Sequence, residues 1–242
     1  MVICGIADTL DNGGNMYFQF LLEDYSTEIL VNHVVDKLRE QYPDKEIYAD
    51  LKSFHGIGHL VKKGTTIEQK TGKILNDLPM YLRAFDKRLC RMESRAALII
   101  VLDNDKREQK EFLRQLEQLS CENMILTDHV FCVAVKEMEA WLLGDVDAIE
   151  LAYPNLKKSA AKNYVQDAIC DTWEVLANMV YPGGIAKLMK NARNSYSEIG
   201  RAKAEWADMI GKKLNLFNNR SASFQFFVGE LIKRIEAVET IA

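Results

Sequence analysis

The longest unbroken apolar run in the chain is Ala96-Ala97-Leu98-Ile99-Ile100-Val101-Leu102, and it stops at Asp103-Asn104-Asp105. A run of this length without polar alternation fits a strand buried on both faces, as in the middle of a parallel sheet. It falls far short of the ~20 apolar residues that cross a bilayer, so no membrane partner is expected. Other segments repeat the theme. Tyr17-Phe18-Gln19-Phe20-Leu21-Leu22 reads as a buried strand that delivers Glu23 and Asp24, and Ser26 then caps a helix over 27–40 with apolar positions Ile29, Leu30, Val34, Val35 and Leu38. Residues 46–51 form a second strand candidate, 74–89 a long helix and 106–119 another helix. Val130-Phe131-Cys132-Val133-Ala134-Val135 is a further buried strand.

This alternation predicts an α/β fold with an open, mostly parallel sheet flanked by helices, in which ligands bind beyond the carboxyl ends of the strands. After Asp145 the strand patterns stop. Apolar stripes through Trp173, Leu176, Ile185, Leu188, Trp206 and Ile210 predict a helical C-terminal region, ending in a helix over 224–238 capped by Ser221 or Ser223. The expected organisation is a leader at 1–15, poorly ordered and without function if Met16 is the start, an α/β domain at 16–150 and a helical subdomain at 151–242.

Charge divides along the same line. Residues 1–156 hold 18 basic against 26 acidic residues, and the remainder 13 against 9. The first basic residue is Lys37, so the N-terminus lacks an export pattern and a cytoplasmic location is expected. Cys4, Cys90, Cys121, Cys132 and Cys170 are odd in number and lack zinc-binding spacing, which predicts reduced core thiols.

The acidic residues fall at strand ends: Glu23 after the first, Asp103 and Asp105 after the apolar run, Glu137 and Glu139 after the last. Gathered in one cleft, they would repel one another and raise each other's pKa unless a cation were present, and hard oxygen donors suit Mg²⁺ or Mn²⁺. Metal-assisted phosphoryl chemistry is the expected activity. Each residue also has a structural reading. Asp103 and Asp105 suit a turn or helix cap, and Glu137 and Glu139 suit the first turn of a helix, where the dipole favours them. Gly56 and Gly58 could cradle a phosphate or make a tight strand-to-helix turn. His55 and His59 flank them as candidate acid or base, or as incidental loop residues. Lys106 and Arg107 could neutralise phosphate or decorate an exposed turn. Lys187, Lys190, Arg193, Arg201, Lys203, Lys212 and Lys213 could follow a nucleic-acid backbone or form a solvated face.

Several of these pieces resemble a known pattern. A glutamate ending the first strand before a helix, and an Asp-x-Asp ending a later strand, resemble the Toprim fold of topoisomerases, bacterial-type primases and nucleases of the overcoming-lysogenization-defect family. The stretch Leu22-Glu23-Asp24 with Ser26-Thr27-Glu28, the turn Gly56-Ile57-Gly58-His59-Leu60, and Leu102-Asp103-Asn104-Asp105 carry the resemblance. So do the block from Val133 to Asp145, with Glu137-Met138-Glu139-Ala140-Trp141-Leu142-Leu143-Gly144-Asp145 its most specific part, and Arg220-Ser221-Ala222-Ser223-Phe224. Together they are similar to an uncharacterised bacterial Toprim-like family often encoded beside an ATPase. The resemblance implies catalytic and metal-binding roles for Glu23, Asp103 and Asp105, with Glu137 and Glu139 as further ligands and Asp24, Gly56, Gly58, His59 and Lys106 as accessories. It also implies a Mg²⁺- or Mn²⁺-dependent nuclease that cuts DNA or RNA, an ATPase partner of AAA or ABC type and a role in defence against phage. Asp24 stands where that pattern usually has glycine, which leaves open a non-catalytic scaffold that binds an ATPase or nucleic acid.

Overall fold

A computed structural model describes residues 15–60, 71–168, 170–193 and 195–237. Of the expected leader only Asn15 is among them, and Cys4 lies outside the described residues. Four strands, β1 (Met16–Leu22), β2 (Ile47–Ser53), β3 (Arg95–Asp103) and β4 (His129–Ala134), pair in parallel in the order β2-β1-β3-β4. Helix α1 (Tyr25–Gln41) connects β1 to β2, α2 (Ile74–Leu89) precedes β3, and α3 (Gln109–Glu122) connects β3 to β4. The expected α/β class, with a parallel sheet flanked by helices, is the observed one. Beyond β4 come α4 (Glu139–Leu143), α5 (Val146–Ala152), α6 (Thr172–Val180), α7 (Gly184–Ala192), α8 (Tyr196–Gly211) and α9 (Ala222–Glu236).

Alternation along β1 makes the two cores. Phe18, Phe20 and Leu22 face one side, where Leu30, Val34 and Leu38 of α1 meet Trp206 and Ile210 of α8 and Phe224, Phe227 and Leu231 of α9. Tyr17 and Leu21 face the other, against Leu75, Leu78 and Leu82 of α2 and Phe112 and Leu116 of α3. The C-terminal helices therefore share a core with α1 and the sheet. Among the described residues no helix is long and apolar enough to cross a membrane.

Three local expectations change. Helix α3 begins at Gln109 rather than at 106 because Asp105 adopts a left-handed φ of 51° and Glu108 accepts from the Lys110 and Glu111 amides. Lys106 and Arg107 thus belong to a turn. Lys136, with φ 75°, bends the chain after β4, so Glu137 precedes helix α4 and only Glu139 lies in its first turn. Of the four cysteines described, Cys132 alone is buried; Cys90 and Cys121 are exposed and Cys170 is half-buried. Cys90 caps the end of α2, and Cys121 sits among polar neighbours near the end of α3.

The Trp141 block joins the sheet to the C-terminal helices. The Trp141 ring is fully buried, stacked on Phe227 at 5.1 Å and edge-on to Phe224 at 5.6 Å, and its Nε1 donates to Ser223 Oγ over 2.9 Å. Ser223 Oγ also accepts from the Val135 amide. Asp145 caps α5 through the Ala148 amide and accepts from the Asn215 amide at 2.8 Å. Gly144 lets the loop before α9 approach: a Cβ there would lie 1.9 Å from Asn219 Oδ1 and 3.1 Å from the Ser221 nitrogen. Gly144→Ala is accordingly expected to cost about 1–2 kcal/mol, read as a fall in melting temperature. An unchanged melting temperature would show that the Asn219 loop yields without cost.

Candidate functional site at the sheet switch point

From β1 the chain moves to β2 on one side, while β3 lies on the other. The carboxyl ends of β1 and β3 therefore diverge into a crevice, the usual ligand position in such sheets. Register fixes what sits there. Leu22 pairs with Val101, so Glu23 and Asp103 emerge side by side, and Glu23 Oε2 accepts from the Asp103 amide at 2.9 Å. Asp24, in the glycine position of the resembled pattern, caps α1: Oδ1 accepts from the Thr27 amide at 2.8 Å and from the Thr27 hydroxyl at 2.7 Å, and Ser26 Oγ also donates to the carboxylate.

Glu139 comes to the same crevice from α4. Its side chain is 1% exposed, and neither carboxylate oxygen has a well-aligned hydrogen bond. Its counter-charge is the ammonium of Lys203 from α8, 3.1 Å from Oε1. Lys203 Nζ also lies 5.9 Å from the centre of the Trp173 ring. Charge and burial shape the titration of the group. Burial, with the Asp24 and Asp105 carboxylates adding to it against the Asp103 amide and Lys203, pushes Glu23 up to about 8. Burial, Glu23 and Glu139 raise Asp103 well above the usual carboxylate range. Burial also raises Glu139 against the pull of Lys203. For Lys203 burial acts downward, but Glu139, Asp103, Asp24 and Glu137 outweigh it and hold the ammonium charged.

The remaining candidates are placed differently. Asp105 is turned to Arg107 at 3.0 Å on the rim, close enough to raise Glu23. Glu137 Oε2 accepts from the amide and hydroxyl of Thr172, both at 2.7 Å, and so fixes the start of α6. Lys106 is exposed beside Asp105. Gly56 and Gly58, at φ 100° and 69°, bend the chain after β2, but α2 begins only at Ile74, so the expected tight strand-to-helix turn is not formed; the carbonyls of Gly56 and Ile57 accept from the Ile74 and Leu75 amides at the start of α2, which uses donors a phosphate would need. A Cβ on Gly58 would lie 2.1 Å from Asn76 Oδ1. His59 is exposed and pairs with Asn76 at 3.2 Å, and His55 is exposed at the same turn. Neither histidine contacts Glu23, Asp103 or Glu139 by a hydrogen bond.

Among the described residues, no group of three Asp, Glu, His or Cys side chains is already gathered as a metal-ligating set. The chemistry of the donors nonetheless fits a hard cation. Glu23 and Asp103 are adjacent carboxylates that burial and mutual repulsion raise, Glu23 to about 8, and Glu139 is a buried carboxylate with unfilled acceptor sites. Two open cavities flank the centre. One of about 470 Å³ is lined by Asp105, Lys106, Arg107, Glu137, Cys170 and Asp171. The other, of about 1000 Å³, reaches from Asp24 and Lys203 to Trp173, Tyr25 and Tyr196.

Lys203 is the residue whose role the sequence reading misses, placing it among dispersed surface charges. A usable signal exists: it stands four residues after Ile199 and three before Trp206, on the apolar stripe of α8. A lysine in such a stripe needs a buried partner.

The family described as a domain of unknown function (DUF4276) matches residues 22–232. No curated protein and no solved structure matches the chain.

Proposed function

The chain belongs to the DUF4276 family, and from its acidic switch point we propose that it hydrolyses nucleic-acid phosphodiesters with Mg²⁺ or Mn²⁺. The observation that carries this reading is the meeting of Glu23 and Asp103 at the crevice between β1 and β3, with Lys203 brought in from α8. The Toprim-like arrangement of a glutamate after the first strand and Asp103-Asn104-Asp105 after a later one supports it.

Glu23 and Asp103 would hold the ion, with Asp105 at the rim and Glu139 behind them. Once bound, the ion would supply Lewis-acid stabilisation of charge on the phosphoryl oxygens. Lys203 adds a fixed positive charge at the inner wall, which attracts a phosphate and offsets the negative charge that grows on it during in-line displacement. Asp24 sets the direction of α1, and Glu137 ties α6 to the site through Thr172, so that both walls of the crevice are positioned by hydrogen bonds. The same resemblance supports an ATPase as the partner that controls this activity, in a phage-defence setting.

A second reading, a non-catalytic scaffold for an ATPase or nucleic acid, is favoured by one observation: Glu139 has its counter-charge within the protein, the Lys203 ammonium at 3.1 Å. Calorimetric titration with Mn²⁺ separates the two. Saturable binding that disappears in Glu23→Gln/Asp103→Asn is expected. If wild type and variant release equally little heat, and a fluorescent phosphodiester oligonucleotide stays intact with Mn²⁺, the scaffold reading replaces the hydrolase.

A further inference from the structure

We propose that the 1000 Å³ cavity beside the acidic centre is a seat for unpaired nucleotides, so that the substrate is a single strand, a flap or a frayed end rather than the interior of a duplex. This rests on the phosphodiesterase reading and names the substrate of that same site.

The cavity opens directly from Asp24 and Lys203, and its walls combine two kinds of group. Tyr25, Trp173 and Tyr196 contribute aromatic rings to the wall, with Tyr25 62% and Tyr196 87% exposed. Lys73 supplies positive charge on the wall, while Arg201 is paired with Glu198 at 2.7 Å and Lys203 faces Glu139. Aromatic faces interleaved with cations are the arrangement that binds a strand through its bases and phosphates together, because every base has a stacking face and every linkage a charge. Bases inside a duplex already use their faces on one another. They can reach a recessed ring only after leaving the stack.

Trp173 links this recess to the chemistry. Its ring neighbours the Lys203 ammonium, which faces Glu139. A base resting against Trp173 would place the adjoining phosphate beside Lys203 and the Glu23–Asp103 pair. Tyr196, at the first turn of α8, stands at the outer end, where the next base would emerge.

The test measures binding without cleavage, by fluorescence anisotropy of labelled oligothymidylate and oligouridylate of about 12 nucleotides and of a blunt duplex of the same length, all in EDTA. Both single strands are expected to bind at least ~10-fold more tightly than the duplex. Tyr196→Ala, at a position exposed enough to leave the fold intact, and Trp173→Leu are each expected to weaken single-strand binding by ~5- to 100-fold, the usual range for losing one stacked base. Duplex binding should change little. Equal affinity for duplex and single strand, or variants that bind as wild type does, would overturn the proposal. So would full competition by free thymidine monophosphate at equal concentration, since the occupant would then be a mononucleotide. Binding is scored in the absence of metal, so failure of Mn²⁺-dependent cleavage would count against the hydrolase reading alone. Duplex cleavage with no strand preference in binding would count against this seat alone.

Discussion

Lys203→Met is expected to destabilise the protein by about 3–5 kcal/mol at pH 8, the range found when one member of a buried ion pair is removed. Methionine keeps most of the side-chain length against Trp173, so the loss would come from charge rather than from a cavity. What remains is Glu139, 1% exposed, with no hydrogen bond to either oxygen and no ammonium beside it. Water cannot solvate that carboxylate, so it escapes the penalty by taking a proton. The cost should therefore shrink at pH 5, where protonation is cheap, and grow as the pH rises. Adding Glu139→Gln should recover most of the lost stability, because the amide is neutral and similar in shape. Urea denaturation of wild type, single and double variants at both pH values checks this. A loss that is the same at pH 5 and 8 and is not rescued by Glu139→Gln would show that the lysine stem, not its charge, supports the site.

The fate of Lys203 illustrates where a sequence pattern stops being informative. Period-two and period-3.6 patterns report which face of an element is buried, and they were enough for the four strands, for the order of strands and helices, and for Glu23 and Asp103 at strand ends. They carry no information about which remote helix lands on a strand end. Lys203 lies 64 residues beyond Glu139, and the contact arises only because α8 packs along α1. The same limit applies to Trp173 and Tyr196, whose meeting with Tyr25 in one recess depends on the folding back of the C-terminal helices. Other misreadings came from the backbone. The left-handed turns at Asp105 and Lys136 shift α3 and take Glu137 out of the helix, and non-glycine residues leave no compositional mark of such turns. The block from Glu137 to Asp145 has a mixed role. Trp141, Gly144 and Asp145 hold the C-terminal helices to the sheet, whereas Glu139 faces Lys203 and Glu137 lines the smaller cavity beside Asp105.

The pH dependence of stability offers the second large effect, and its sign is opposite to that of an ordinary salt-bridged carboxylate. Glu23 has a folded-state pKa of about 8, above the ~4.3 of an exposed glutamate. The folded protein therefore holds a proton that the unfolded chain releases at lower pH. Its stabilising contribution is complete below the unfolded value and is lost as the pH rises from about 4.3 through about 8. Asp103 is shifted in the same direction. In EDTA, wild type is expected to lose about 2–3 kcal/mol between pH 5.5 and 8.5 from Glu23, a value discounted for the partly open side of the crevice. Glu23→Gln should remove most of that slope and be the more stable protein at pH 8.5, even though it lacks a charged group at the proposed centre. Mn²⁺ should flatten the wild-type profile in another way, since a bound cation stabilises the deprotonated carboxylates and binds only the folded chain. It should leave Glu23→Gln nearly unchanged. Thermal melts of both proteins across this range, with EDTA and with Mn²⁺, give four profiles. A wild-type profile as flat as that of Glu23→Gln in EDTA would mean that the two strand-end carboxyls are solvated well enough to ionise independently, and the crevice would then lack the electrostatic tension that favours a cation.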